Sequence, residues 1–144
     1  MNSGYRKDWR RWMAIDVGSK SVGVALSDPM KMTAQPLTTL KRAGLKKDAE
    51  TICGLIAEHR VERLVVGEPR FLSGRQSPVM DVIRPLVEEI RRRSSVEIRW
   101  HDERLSSKEA ERKMAELKIP PEQRRKRRDE FAAALILQWH LEER

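Results

Sequence analysis

The sequence contains a single cysteine, Cys53, in 144 residues. One thiol excludes an internal disulfide, and with only three histidines, His59, His101 and His140, no Cys/His cluster offers a zinc site. Cys53 is expected to pack as a small apolar residue on a helix. Aromatic residues are also scarce; four of the seven are tryptophans. Trp100 and Trp139 are expected in the core, which leaves Trp9 or Trp12 as the candidates for stacking on a base. No apolar stretch approaches the ~20 residues a membrane span needs, so no membrane partner and a cytoplasmic location are expected. The basic opening "MNSGYRKDWRRW" has no apolar run behind it and does not read as a signal peptide. Residues 1–11 are expected to be a flexible basic segment ahead of one domain spanning 12–144. No internal repeat or low-complexity tract is present.

What is abundant is charge. Charged residues make up 36% of the chain, and 30 Lys and Arg against 22 Asp and Glu give a net charge of +8. That excess favours a polyanionic partner, nucleic acid before an acidic membrane surface. The 39% of hydrophobic residues sit in defined blocks, which argues for a folded domain with a charged surface rather than disorder.

Met13, Ile15 and Val17 alternate with Ala14 and Asp16, and Val22, Val24 and Leu26 alternate with Gly23, Ala25 and Ser27. Both runs have the period of two of a strand, and "GSKS" between them reads as a hairpin turn. Pro36–Leu40 predicts a third short strand. Lys46–His59 predicts a helix with Ala49, Ile52, Cys53, Leu55 and Ile56 on one face. "RLVVG" reads as a buried strand and "EPRFLSGRQSP" as a loop. Val79–Arg93 predicts a helix that Pro85 kinks or starts. "VEIRW" predicts a strand. "LSSKEAE" carries a helix-start signal, with Ser106 or Ser107 as cap and Glu109 or Glu111 near the capping-box position. "PPEQ" is expected to end that segment. A last helix is expected over about Arg128–Glu142, with Phe131, Ala132, Leu135, Ile136 and Trp139 buried. The resulting order, β-β-β-α-β-α-β-α-α, predicts an α/β fold: a three-stranded antiparallel meander, then alternating α and β, in a mixed sheet flanked by helices.

Three places concentrate carboxylates. Asp16 lies within a strand, where an unpaired buried carboxylate costs several kcal/mol and so requires a cation or hydrogen bonds. Turn amides or Lys20 are its ordinary partners. Small Gly23, Ala25 and Ser27 on the neighbouring strand would leave room above it. Asp102 and Glu103 stand just past a strand end. Asp129 stands at the expected start of the last helix, where the helix dipole alone would account for it, and Ala132, Ala133 and Ala134 behind it would let that helix approach the sheet. Carboxylates from a central strand, a strand end and a helix start can converge at one edge of an α/β sheet. Such oxygen-rich clusters bind Mg²⁺ or Mn²⁺, and two ions ~3.5–4 Å apart clamp the attacking and leaving oxygens of a phosphodiester. Lys20, Arg70, Arg75, Arg104 and the run Arg124–Arg128, including Arg125, Lys126 and Arg127, neighbour these segments in sequence. They read as a phosphate-binding rim, or individually as solvated surface.

The segments "AIDVGSKSVGVALSD", "LVVGEPRFLSG", "HDERLSSKEAE" and "RDEFAAALILQWHLE" resemble the YqgF/RuvX family of RNase H-like nucleases over nearly the whole chain, Met13–Leu141. The second segment departs from the family pattern at Glu68, a position not usually acidic there. The resemblance implies an RNase H-like fold and catalytic, metal-binding carboxylates at Asp16, Glu103 and Asp129. It implies a nuclease that matures the 5′ end of pre-16S ribosomal RNA, related to Holliday-junction resolvases. Structured precursor ribosomal RNA or branched DNA is therefore the expected partner, and the fold does not choose between them. Glu68 reads as a solvated loop residue or a further acid near the site. His101 reads as structural or as a proton-transfer group. His59 and His140 are expected at the surface, and Asp28 in a turn. Two other classes compete. A non-catalytic nucleic-acid-binding module would have no use for the carboxylate set. A sugar-kinase or actin-like ATPase, suggested by the hairpin "DVGSKSVGVA", would need a second such domain.

Overall fold

A computed structural model describes residues 9–70, 73, 75 and 77–143. The elements in chain order are β1 (Arg11–Val17), β2 (Ser21–Ser27), β3 (Ala34–Lys41), α1 (Leu45–Glu58), β4 (Val61–Glu68), α2 (Met80–Arg93), β5 (Glu97–Asp102), α3 (Ser106–Glu116) and α4 (Pro121–Glu143). The five strands form one sheet in the order β3-β2-β1-β4-β5. β1, β2 and β3 pair antiparallel as a meander, and β4 and β5 run parallel to β1. This is the α/β mixed sheet that the order of elements predicts.

Alternation along the strands sorts the two faces. Met13, Ile15 and Val17 of β1, with Val22, Val24, Leu64 and Val66, pack against Ile52 of α1 and Ile83, Leu86 and Ile90 of α2. The opposite face is built from smaller residues. Ala14, Ala25 and Val65, with Trp12, meet Ala133, Ile136, Leu137 and Leu141 of α4. Small side chains on both partners bring a helix axis close to the sheet, and that closeness sets the position of every group α4 carries. α3 lies beside α4, with Ala110 and Met114 against Phe131 and Ala132. Ala132 therefore faces α3, whereas Ala133 faces the sheet. Among the described residues, no helix is long and apolar enough to cross a membrane.

Several expectations are corrected. The last helix begins at Pro121, not near Arg128. Proline suits the first helical position, where its missing N–H would have no partner, and the Arg/Lys run that follows has good helix propensity. The segment "PPEQ" thus starts a helix as well as ending a linker. Helix α2 starts at Met80 and continues through Pro85. α3 has Leu105 at its N-cap, with φ +72° and no side-chain cap, and Ser106 lies inside the first turn. Strand β1 opens at Arg11, inside the segment expected to be loose; its N–H donates to the Arg60 carbonyl and its guanidinium to the Ser27 carbonyl, 3.1 and 3.0 Å. The remainder of that expectation concerns residues 1–8, outside the described residues, as are Phe71, Leu72, Gly74 and Gln76 of the expected loop. Trp100 is not core but 37% exposed, because β5 is an edge strand, and Trp139 is half-buried. Trp12 is buried, donates from its indole N–H to Glu62 Oε2 at 2.9 Å and carries the Arg63 guanidinium 3.9 Å from its ring centroid, so it offers no face to a base.

Candidate functional site

Asp16 follows Ala14 on the face of β1 that α4 covers, and its register partner on β2 is Gly23. Glu103 reaches the same face from the other side of the sheet. Its N–H donates to the Glu68 carbonyl at 3.2 Å, which carries the β4–β5 pairing one residue past Asp102. The Glu103 carboxyl then lies over Gly67: a Cβ on Gly67 would fall 3.1 Å from Glu103 Oε2 and 2.9 Å from Ile136 Cδ1. Glycine at this position is what leaves space for the acid.

Asp16 and Glu103 are hydrogen-bonded to each other. Both pKa values are raised. Burial is the main cause for each; the negative charge of Asp129 adds to it at Asp16, and the charge of Asp16 adds to it at Glu103. Two half-buried carboxyl groups in contact do not both ionise cheaply, which favours the protonated form of the pair. The Ser106 hydroxyl stands 3.4 Å from Glu103 Oε2.

Asp129 reaches the site through close packing. A Cβ on Gly23 would lie 2.0 Å from the Asp129 carbonyl oxygen, so the α4 backbone rests directly on β2. The space left by Gly23 is therefore filled by the helix and does not stay open above Asp16, as the small residues had suggested. The Asp129 carboxylate accepts a short hydrogen bond from the Ser21 hydroxyl. It is the ninth residue of α4, two turns in, so the first-turn dipole account expected for it does not apply. Glu103 contacts Asp16, and Asp129 is near enough for its charge to act on Asp16. Even so, among the described residues no three His, Cys, Asp or Glu side chains stand in a ready metal-ligand arrangement. The donors gathered here, three carboxylates and two hydroxyls, are all oxygen, which suits a hard cation such as Mg²⁺ or Mn²⁺.

Asp16 and Glu103 line a cleft of about 360 Å³ with Arg70, Arg104, Ser107 and Lys108. Arg70 is 3.0 Å from Glu68, and Arg104 donates to Asp102 from both its backbone N–H and its Nε, each at 2.9 Å. Lys20 is exposed at the β1–β2 turn. Within the basic run, Arg125 and Lys126 are exposed. Arg124 is tied to the Ile119 carbonyl at 2.6 Å, Arg127 to Glu130 at 3.4 Å and Arg128 to Glu111 at 3.7 Å.

The remaining expected residues sort by face. Glu68 ends β4 rather than lying in a loop, and it lines a cavity with Met80, Arg84 and Trp100 on the side of α2. His101 contacts α4: its Nδ1 is 3.4 Å from Glu143 Oε2 and its ring meets His140 edge-on at 5.5 Å. His140 is half-buried rather than a surface residue, with its Nε2 3.2 Å from Arg63; burial, His101 and Arg63 hold its pKa down. Asp28 accepts from the N–H groups of Met30, Met32 and Thr33, the turn role expected of it. Sequence reasoning missed Ser21 and Ser106 as partners of the acids. Ser106 gave a signal, but one that read equally well as a helix cap.

A family model described as RuvX, Holliday junction resolvase, matches residues 10–143. A protein of Roseiflexus sp. (strain RS-1) named "Putative pre-16S rRNA nuclease" is 45% identical over 89% of this chain and 91% of its own. A protein of the same name from Clostridioides difficile (strain 630) is 38% identical over 92% of this chain and 94% of its own. Among solved structures, T. thermophilus RuvC in complex with a Holliday junction substrate superposes with a TM-score of 0.60 at 14% identity, covering 93% of this chain and 94% of that one. The Fowlpox virus resolvase bound to junction DNA gives 0.55 at 14% identity, covering 92% and 97%. At that identity the likeness shows the fold, an RNase H-like one.

Proposed function

This chain belongs to the RuvX family of nucleases, and from that premise we propose that it is a divalent-metal-dependent enzyme that hydrolyses phosphodiester bonds in maturing the 5′ end of pre-16S ribosomal RNA. The observation that carries the chemistry is the contact of the Asp16 and Glu103 carboxyls, with the charge of Asp129 acting on Asp16, in a cleft edged by Arg70, Arg104 and Lys108. Two carboxylates in contact repel one another once deprotonated, unless a cation takes the place of the proton. A bound Mg²⁺ or Mn²⁺ would neutralise charge at the reacting phosphate. Asp16, Glu103 and Asp129 would hold it, with Ser106 and Ser21 orienting two of them. Arg70 and Arg104 would position the flanking phosphates, and Lys20, Arg125, Lys126 and Arg127 would extend the contact along the backbone. A cytoplasmic location belongs to the same reading. The match to a model described as a Holliday junction resolvase favours a second reading, cleavage of branched DNA.

The test is cleavage of a labelled precursor ribosomal RNA end and of a four-way DNA junction by the parent and by Asp16→Asn, each with and without EDTA. The parent should cut only with metal, and Asp16→Asn should fold normally and cut neither. Activity in EDTA or in the Asn variant would sink the metal reading, and preference for the junction would select the second.

A further inference from the structure

Beside the acidic cleft lies a second groove, about 560 Å³ in volume, between the end of β5, the start of α3 and the last turns of α4. Arg104 and Leu105 form a wall common to both. His101 and Trp139 are among the residues that line it. Its acidic groups are already matched: Asp102 with Arg104 at 2.9 Å, Glu143 with His101 at 3.4 Å and Glu109 with Arg112 at 2.7 Å. Leu105 is 55% exposed, and its φ of +72° is a conformation that a leucine adopts only under constraint. Held non-glycine residues of this kind concentrate at ligand clamps. An apolar side chain thus stands at the lip between the two clefts, with an indole beyond it.

We propose that the groove walled by Trp139, Leu105, His101 and Arg104 receives one unpaired nucleobase next to the phosphate held over Asp16 and Glu103. The proposal rests on the nuclease reading and adds to it that a single-stranded flank is required. A phosphate is a poor occupant, because three carboxylates, Asp102, Glu109 and Glu143, line the groove beside a single arginine, Arg104. A base fits better: it has a π-face for the indole, an apolar edge for Leu105 and N–H groups that the lining carboxylates can accept. A paired base cannot enter without leaving its stack, which costs a few kcal/mol.

The experiment measures binding by fluorescence anisotropy, in Ca²⁺, of a labelled RNA hairpin with a single-stranded flank. A matched set carries one abasic residue at successive flank positions. Binding needs no cleavage, so it separates this proposal from the catalytic one. In the parent, one abasic position should weaken binding by about 5- to 150-fold, the range for one base–aromatic stack. Trp139→Ala should weaken binding of the intact RNA by a similar factor, and the two effects should not add. Trp139→Phe should keep part of the discrimination. Leu105→Asn tolerates the left-handed backbone and disturbs no core, so it tests the lip even if Trp139→Ala fails to fold; it should reduce the discrimination. If no abasic position matters in the parent, or if Trp139→Phe and Leu105→Asn both discriminate as the parent does, the groove does not take a base and the nuclease reading stands. If no RNA or DNA binds at all, both fall.

Discussion

Gly23 lies under the peptide between Asp129 and Glu130: a Cβ added to it would fall 2.0 Å from the Asp129 carbonyl oxygen and 2.7 Å from the Glu130 nitrogen. The contact is backbone on backbone, so no side-chain rotation relieves it. Gly23→Ala must lift α4 from β2 or bend the strand. It should cost on the order of 1–3 kcal/mol or more and pull Asp129 away from Asp16, so cleavage should fall further than the drop in folded protein explains. Urea midpoints and single-turnover rates of the folded fraction decide it. A variant as stable and active as the parent would show that the helix does not need this seat.

The raised pKa values of Asp16 and Glu103 give stability a definite dependence on pH. A carboxyl whose pKa is raised on folding binds its proton more tightly in the folded state. Its contribution is complete below the unfolded pKa and is lost as pH rises through the folded one. With both Asp16 and Glu103 raised, the metal-free protein should lose stability from about pH 4 upward, through neutrality. Glu103→Gln keeps a donor toward Asp16 but has no proton to lose. It should melt like the parent near pH 4 and above it at pH 8, in EDTA. Parallel melting curves across that range would mean the two acids do not share a proton.

Replacement of the proton by a cation is measurable without any substrate. Titrating Mg²⁺ or Mn²⁺ into the parent at neutral pH should release about one proton per site and raise the melting temperature. Calorimetry in buffers of different ionisation enthalpy counts the proton. Asp16→Asn should show neither effect. Metal uptake without proton release would place the ion elsewhere.

Arg125, Lys126 and Arg128 are the exposed members of the basic run; Arg128 is engaged with Glu111 and Arg127 with Glu130. Replacing Arg125 and Lys126 with Ala should weaken RNA binding alike for different sequences. The slope of log K against log salt should drop by roughly 0.7 for each single-strand phosphate that the protein no longer neutralises. Cleavage at saturating RNA should be much less affected than affinity. An unchanged slope would assign both residues to solvated surface.

The order of elements along the chain, the antiparallel meander and the alternation of faces were legible in the sequence because the period of two in β1 and β2 is strict, and one-residue slips would invert it; the place of β4 and β5 beyond β1 was not. Asp16, Glu103 and Asp129 were legible as carboxylates in a strand, past a strand end and in the last helix. The approach of Asp129 to the other two was not, because it depends on how far α4 sinks onto the sheet. That depth is set by Gly23 and Gly67, residues whose importance lies in the side chain they lack. The start of α4 is not legible because a proline pair reads equally well as a stop or as a first turn. Composition favours the core for Trp100 and Trp139, but one lies on an edge strand and the other at a groove, and neither place is encoded locally. Ser21 and Ser106 escape notice because serine near a turn or a helix start has an ordinary local explanation.

Helix α4 runs unbroken for 23 residues, which makes it a fixed ruler laid across the sheet. At 1.5 Å per residue, Arg125 stands about 6 Å before Asp129 along the axis and Trp139 about 15 Å after it. The basic run, Asp129 and the groove residue Trp139 are thus graduated on one rod, and their spacing cannot be tuned separately. A single residue inserted between Asp129 and Trp139 would turn everything beyond it by about 100°. The acid or the groove could keep its bearing, but not both. The rod therefore admits substitution, but a change in its length would part Asp129 from Trp139, and variation in length belongs to the loops around it.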